Sequence, residues 1–208
     1  WLIAEADESD ASFLHLQPHI AVVTNIDTDH MATYSGDFDQ LIDTFQTFLH
    51  NLPFYGLAVL CSDDPVIRDL RPHIRRPVVT YGVEAGADYR ATQIRQAGTR
   101  MQFKVALMGE RRIEVDLPIP GLHNVCNALA AIAVADKVGI AADAIAEGLR
   151  SFAGIDRRFE ILGEMILGPG RALLVDDYAH HPREIEATLA AAQGCWPDRR
   201  KVVVFQPH

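Results

Sequence analysis

Apolar and polar positions change their spacing several times along this 208-residue chain, and each change marks an element. Trp1 to Ala6 and Ile20 to Ile26 are short runs rich in strand-forming residues, so both predict strands. From Asp37 to Leu52 the rhythm lengthens: Phe38, Leu41, Ile42, Phe45, Phe48, Leu49 and Leu52 recur at helical spacing and form one apolar stripe. A strand from Leu57 to Cys61 follows, closed by Asp63-Asp64-Pro65. Asp can cap a helix and Pro is tolerated in its first turn, so that tripeptide predicts a helix start. A short helix and a strand from Pro77 to Tyr81 come next. Strands alternating with helices predict an α/β fold with a mostly parallel, doubly wound sheet.

Between Tyr89 and Pro118 the spacing shortens to two. Tyr89 to Ile94, Met101 to Leu107 and Ile113 to Leu117 alternate, separated by Ala97-Gly98 and Gly109-Glu110, which predicts an antiparallel meander beside the main sheet. Pro120-Gly121-Leu122-His123-Asn124 leads into an Ala-rich helix, about Asn124 to Val138, that Gly139 ends. A second helix is expected from about Ala141 to Ser151. The segment Phe152 to Phe159 reads as a hinge, with Gly154, Arg157 and Arg158 in it. Beyond it Arg171 to Asp176 predicts a strand, Pro182 to Ala192 an amphipathic helix, and Lys201 to Phe205 a last strand. The expected boundary lies near Gly154, with residues 1–154 as one domain and 155–208 as the start of another. The chain opens without Met inside an expected strand and stops just after another, the pattern of a piece cut from a longer protein.

Composition narrows the function classes. With 49% hydrophobic residues the chain can bury a core, and no apolar run approaches the ~20 residues a membrane span needs. Trp1 to Ala4 is too short for a signal peptide, so a cytoplasmic protein without membrane insertion is expected. Cys61, Cys126 and Cys195 are far apart in apolar surroundings, as free thiols in a reducing compartment would be. A net charge of -9 argues against a nucleic-acid surface. The first Lys or Arg is Arg68, and Glu5, Asp7, Glu8, Asp10, Asp27, Asp29, Asp37, Asp39, Asp43, Asp63 and Asp64 precede it. Carboxylates gathered without cationic side chains are either solvated singly or share a divalent cation.

Two of these acidic clusters follow the first two expected strands, where ligands of parallel sheets gather. Glu5 and His30 can face one crevice there, and a carboxylate oxygen with an imidazole nitrogen suits Mg²⁺ or Mn²⁺ when phosphate oxygens and waters complete the shell. Turn and cap duty is the simpler reading of Asp7, Glu8, Asp10, Asp27 and Asp29. Asn124 and Asn127 share the face of a helix's first turn, where unpaired N–H groups favour an anionic or amide-rich ligand. Plain capping by Asn124 competes with that reading. Asp176-Asp177-Tyr178-Ala179-His180-His181-Pro182 packs two carboxylates, a phenol and two imidazoles between a strand and a helix. Arg157 and Arg158 could pair with phosphate, or could be surface residues of a linker. The chain has no G-x-S-x-G, no H-E-x-x-H and no Gly-Lys-Ser/Thr phosphate loop; its lysines are Lys104, Lys137 and Lys201.

Seven segments in order, E-A-D-E-S-D-A-S-F (5–13), V-T-N-I-D-T-D-H-M (23–31), H-N-L-P-F-Y-G (50–56), P-G-L-H-N-V-C-N-A (120–128), R-R-F-E (157–160), D-D-Y-A-H-H-P (176–182) and F-Q-P-H (205–208), closely resemble the Mur ligases. Within the family H-N-L-P-F-Y-G, D-D-Y-A-H-H-P and F-Q-P-H resemble the branch that joins L-alanine to UDP-N-acetylmuramate. The resemblance implies part of a central ATPase domain followed by the beginning of a Rossmann-like, amino-acid-receiving domain. It implies ATP with Mg²⁺ or Mn²⁺ and an acyl-phosphate route to the peptide-type bond in peptidoglycan precursor synthesis. By the same resemblance Glu5 and His30 are metal ligands, His123, Asn124 and Asn127 lie on the adenine side, and Arg158 and Asp176 contact the nucleotide. Tyr178, His180 and His208 match positions near the acyl phosphate and the incoming alanine. Several relatives carry a carbamylated lysine on the helix after the His30 position. Residues 37–52 hold no lysine, so that ligand is excluded here.

Other readings remain open at this point. A sister ligase that attaches a recycled tripeptide to the same sugar nucleotide shares the pattern. A non-catalytic nucleotide- or metal-binding module fits a truncated chain, and the piece alone is expected to be inactive. A carboxylate-based phosphohydrolase needs a Thr that Asp27-Thr28-Asp29-His30 lacks at the required spacing.

Overall fold

The computed structural model describes residues 1–107 and 111–206. Strands β1 (Ile20–Val23), β2 (Leu57–Cys61), β3 (Val78–Gly82), β4 (Tyr89–Ala97), β5 (Arg100–Ala106) and β6 (Arg112–Leu117) form one sheet in that order. The pairings β1 with β2, β2 with β3 and β3 with β4 are parallel. Gly98 and Thr99 alone join β4 to β5, and so short a link allows only an antiparallel hairpin. The mixed α/β architecture with its side meander is therefore as the spacing predicts. The expected Gly109-Glu110 turn lies outside the described residues.

Helix α1 (Phe38–His50) starts where Asp37 accepts a bond from the Asp39 amide at 2.9 Å. Its stripe buries Leu41, Phe48 and Leu49, and Phe13 packs edge-tilted against Phe45 and Phe48 at 5.4 and 4.8 Å. Helix α2 (Pro65–Leu70) is capped by Asp64, which accepts from the Ile67 amide at 2.9 Å with Pro65 in the first turn. Between β3 and β4 no helix intervenes, although their short pairing is parallel. A side-chain clasp explains this. Asp88 accepts from the amide and hydroxyl of Thr80, both at 2.8 Å, and its own amide donates to that hydroxyl at 3.1 Å.

The remaining elements are α3 (Leu122–Lys137), α4 (Ala142–Arg150), the antiparallel pair β7 (Glu160–Leu167) and β8 (Gly170–Asp176), and α5 (Pro182–Cys195). Contacts divide the chain into two compact units: residues 1–90, 106–111 and 129–140 make one, and residues 91–105, 112–128 and 141–208 the other. In the second unit Phe159, Ala191 and Cys195 form a small core with Val175, Ala192 and Trp196, and the rings of Phe159 and Trp196 stack at 6.0 Å. Cys61, Cys126 and Cys195 form no disulfide among the described residues.

Four expectations need correction. Trp1 to Ala6 is not a strand: no regular structure forms there, and Trp1, Leu2 and Ile3 are at least 90% exposed. Lys201 to Phe205 is likewise irregular, with Val204 95% exposed. A β-prone run becomes a strand only when a neighbouring edge accepts its ladder bonds, and neither run has one among the described residues. The second strand ends at Val23 rather than Ile26, because its register with β2 stops at Val23 opposite Leu60; Ile26 is buried in the loop beyond. Strand β7 is missing from the expected series, since its residues do not alternate and a register shift at Gly163 breaks its period.

Candidate functional site

The two acidic loops lie in the first unit and are tied together by hydroxyl groups. The Tyr34 hydroxyl donates to the carbonyl of Glu8, and the Thr33 hydroxyl to that of Ser9. Tyr34 is 2% exposed, and burial pushes its phenol up, with Glu8, Asp10 and Asp7 adding to the effect. The loop carboxylates mostly shape backbone. Asp7 accepts from Ser9, Asp10 from Ser12, Asp27 from Thr28 and Asp29 from His30, each at 2.8 Å. The Ser9 bonds hold the Asp7 carboxyl below its ordinary range, and His30 lies near enough to lower it further.

His30 has φ 51, in the left-handed region, and its Nε2 lies 3.7 Å from Asp29 Oδ2. Glu5 is exposed in the irregular segment that precedes the clamped loop. Among the described residues no group of three or more His, Cys, Asp or Glu side chains gathers as a closed cation cage. A hard cation that keeps water and phosphate oxygens does not need one, and an exposed carboxylate with an exposed imidazole suits such a partial shell.

The second unit brings together the start of α3 and the loops at 157–160 and 176–184. Gly121 takes φ 101, and a Cβ there would stand 2.5 Å from His123 Cε1, so glycine lets the imidazole fold back over the turn. Burial pushes the His123 pKa down; Asp177 opposes this and Arg158 reinforces it, so all three groups share one neighbourhood. Helix α3 begins at Leu122, which places Asn124 inside the first turn rather than at its cap. Its amide donates to the Pro120 carbonyl at 2.7 Å, and Asn127 donates to Asn124 Oδ1 at 3.5 Å.

Asp177 bridges the two loops, accepting from the amides of Phe159 and Ala179 at 2.8 Å each. Asp176 pairs with Arg157 at 3.4 Å, whose guanidinium stands 4.8 Å over the Tyr178 ring. Arg158 turns instead to Glu184 at 3.2 Å. Glu184 also accepts from the amide of His180 at 3.2 Å and of His181 at 3.4 Å. Burial would raise the Glu184 carboxyl, but those amides and Arg158 hold it below its ordinary range. The Tyr178 and His180 rings meet edge-on at 5.4 Å.

Of the residues expected to act, His123, Arg158, Asp176, Tyr178 and His180 thus stand on this one cluster with Asn124 and Asn127 at the adjoining helix start. His208 lies outside the described residues. Glu184, Thr33 and Tyr34 organise these sites without being singled out from sequence, while Arg157 and Asp177, singled out there as candidates for chemistry, hold Asp176 and the amides of Phe159 and Ala179. Glu184 has a visible signal, an acid three residues after a helix cap. Tyr34 has none, because its partner is 26 residues away.

A model of the Mur ligase middle domain matches residues 3–135. The chain belongs to the Mur ligase family. A model of the Mur ligase glutamate ligase domain matches residues 157–208, and Gly154 falls in the segment between the two matches. Among solved Mur ligases, the UDP-N-acetylmuramate-alanine ligase of Thermotoga maritima is similar at 30% identity and TM-score 0.80, over 98% of this chain and 44% of that one. The UDP-N-acetylmuramoylalanyl-D-glutamyl-2,6-diaminopimelate--D-alanyl-D-alanyl ligase of Acinetobacter baumannii matches at 26% identity and TM-score 0.72, over 90% of this chain and 40% of that one. The murein peptide ligase of Psychrobacter arcticus matches at 29% identity and TM-score 0.66, over 90% and 37%. The chain spans less than half the length of each of these Mur ligases. Mur ligases are ATP-dependent ligases of peptidoglycan synthesis. No helix among the described residues is long and apolar enough to cross a membrane.

Proposed function

We propose that this chain is the nucleotide-handling part of a cytoplasmic ligase that joins L-alanine to UDP-N-acetylmuramate at the expense of ATP. The observation that carries the reading is the likeness to the Thermotoga maritima alanine ligase, at TM-score 0.80 over 98% of the chain. In the proposed reaction a lactyl carboxylate oxygen attacks the γ-phosphorus of ATP and ADP leaves. The alanine amine then attacks the acyl carbon, and phosphate departs with the former carboxylate oxygen.

The residues divide that work by position. His123, uncharged because burial disfavours its cationic form, gives the adenine side a flat neutral face beside the amides of Asn124 and Asn127. Arg158 supplies a planar cation for phosphate or ribose oxygens, with Glu184 fixing its direction at 3.2 Å. Asp176 offers a carboxylate to the ribose hydroxyls, steadied by Arg157. Tyr178, His180 and His208 are assigned to the acyl phosphate and the incoming amine, where a phenol and imidazoles can orient the nucleophile and take its proton. Glu5 and His30 would hold Mg²⁺ or Mn²⁺, which neutralises charge on phosphoryl oxygens when bound. The boundary near Gly154 is the proposed hinge between the ATPase part, residues 1–154, and the amino-acid-receiving part, residues 155–208.

A second reading has its own support: the murein peptide ligase matches at 29% identity, nearly that of the alanine ligase. Substrate trials on the ligase carrying this chain separate the two. Phosphate release that depends on L-alanine supports the first reading. Release that depends on a tripeptide and ignores L-alanine replaces it with the second.

A further inference from the structure

The acidic loop at residues 24–30 follows the carboxyl end of β1, and the first unit has a second concavity near the amino ends of β2 and β3. Its walls come from the last turn of α1 and the segment after α2: Gln46, His50, Pro72, His73, Arg75 and Arg76 enclose roughly 460 Å³. The chain positions it plainly. His50 precedes β2 and Arg76 precedes β3, and the two strand starts lie side by side, with the Ala58 amide donating to the Pro77 carbonyl at 2.9 Å. A five-residue strand is about 16 Å long, so this cavity stands well away from the acidic loops.

Its chemistry is one-sided. The lining has two imidazoles, two guanidinium groups and one amide, and no carboxylate. The run Arg68 to Arg76 holds four arginines and a histidine with Asp69 as its one acid, in a chain whose net charge is -9. Neither Arg75 nor Arg76 makes an ion pair with a carboxylate among the described residues. His50 Nε2 is buried without a hydrogen-bond partner, a costly state for a polar atom unless a ligand or water meets it.

A structural duty accounts for part of this. Arg76 donates to the carbonyls of Leu52 at 2.7 Å and His50 at 2.8 Å, closing the end of α1. That duty leaves Arg75, His73 and the His50 ring nitrogen unused. Guanidinium and imidazole groups around a concavity of this size fit a small phosphate-bearing anion, held by charge-assisted hydrogen bonds. We propose that this cavity is a second anion site, separate from the nucleotide site, and that it takes a di- or monophosphate group.

Calorimetric titration of the full chain with inorganic pyrophosphate, and separately with AMP, tests the assignment. The variants are His73→Gln and Arg75→Gln, both exposed residues with no part in the proposed catalytic machinery, and Arg112→Gln on β6 as control. Circular dichroism melts confirm that each variant folds. Saturable binding that weakens about tenfold in His73→Gln and in Arg75→Gln but not in Arg112→Gln is the expected result. Stronger binding of AMP assigns the phosphate to a nucleotide, and stronger binding of pyrophosphate to a free diphosphate. Binding of neither anion, or binding that both substitutions leave unchanged, overturns the proposal.

Discussion

The Tyr34 hydroxyl donates to the main-chain carbonyl of Glu8, and that bond fastens the first acidic loop to the turn that carries His30. The expected metal ligands Glu5 and His30 flank the fastened segments, so the clamp governs how the acidic edge is presented. Removing the hydroxyl while keeping the ring isolates the bond. Tyr34→Phe is expected to cost about 1 kcal/mol in denaturant unfolding and to speed amide exchange at Ser9 and Ala11. Unchanged exchange in that loop would show that the clamp does not hold it.

A second buried phenol carries more. Tyr89 donates to Asp136 Oδ2 at 2.7 Å, and Arg111 meets the other carboxylate oxygen at 2.7 Å, with the Asp136 side chain only 4% exposed. Burial first, and the Asp136 carboxylate next, push the Tyr89 phenol well above the usual range, so it remains a donor at any physiological pH. Tyr89→Phe leaves a buried carboxylate short of one donor and should cost about 2 kcal/mol. Chemical denaturation of the two proteins side by side gives the difference.

His123 makes stability depend on pH. Its folded pKa lies below the ordinary 6.5, so the unfolded chain binds the proton more tightly. The contribution of this residue is complete above 6.5 and is lost as pH falls from 6.5 toward the folded value. Melting temperature should therefore fall across that window, and His123→Asn should flatten the fall. A parallel decline in both proteins would assign the loss to other groups.

Asp176 separates binding from stability. It is partly exposed and its pairing with Arg157 is a surface contact, so Asp176→Asn should change stability by less than about 1 kcal/mol. If it holds the nucleotide, the same substitution weakens ATP binding about tenfold in the ligase carrying this chain. Equal loss of stability and binding would make it a structural residue only.

How much of the fold is legible from sequence depends on how local the cause is. Helix α1 shows in its stripe, and α2 in Asp64 and Pro65, because caps and periodicity act within a turn or two. The same locality makes the acidic turns readable, since Asp7 and Asp10 each bond an amide two residues on. Local pattern misleads where a strand depends on a distant edge: Trp1 to Ala6 has the composition and no ladder, while β7 has the ladder and a broken pattern. Pairings in the candidate site are least legible. Sequence places Arg157 and Arg158 together but not their partners, and it is the loop fold that gives Asp176 to the first and Glu184 to the second.

The proposed reaction turns on a carboxylate activated by phosphoryl transfer, and oxygen tracing tests that directly. With the lactyl carboxylate of UDP-N-acetylmuramate labelled in both oxygens, the ligase carrying this chain should release, on L-alanine addition, phosphate containing one labelled oxygen per molecule. Phosphate that carries no label, with oxygen drawn from water instead, would contradict the acyl-phosphate route and the function proposed for this chain.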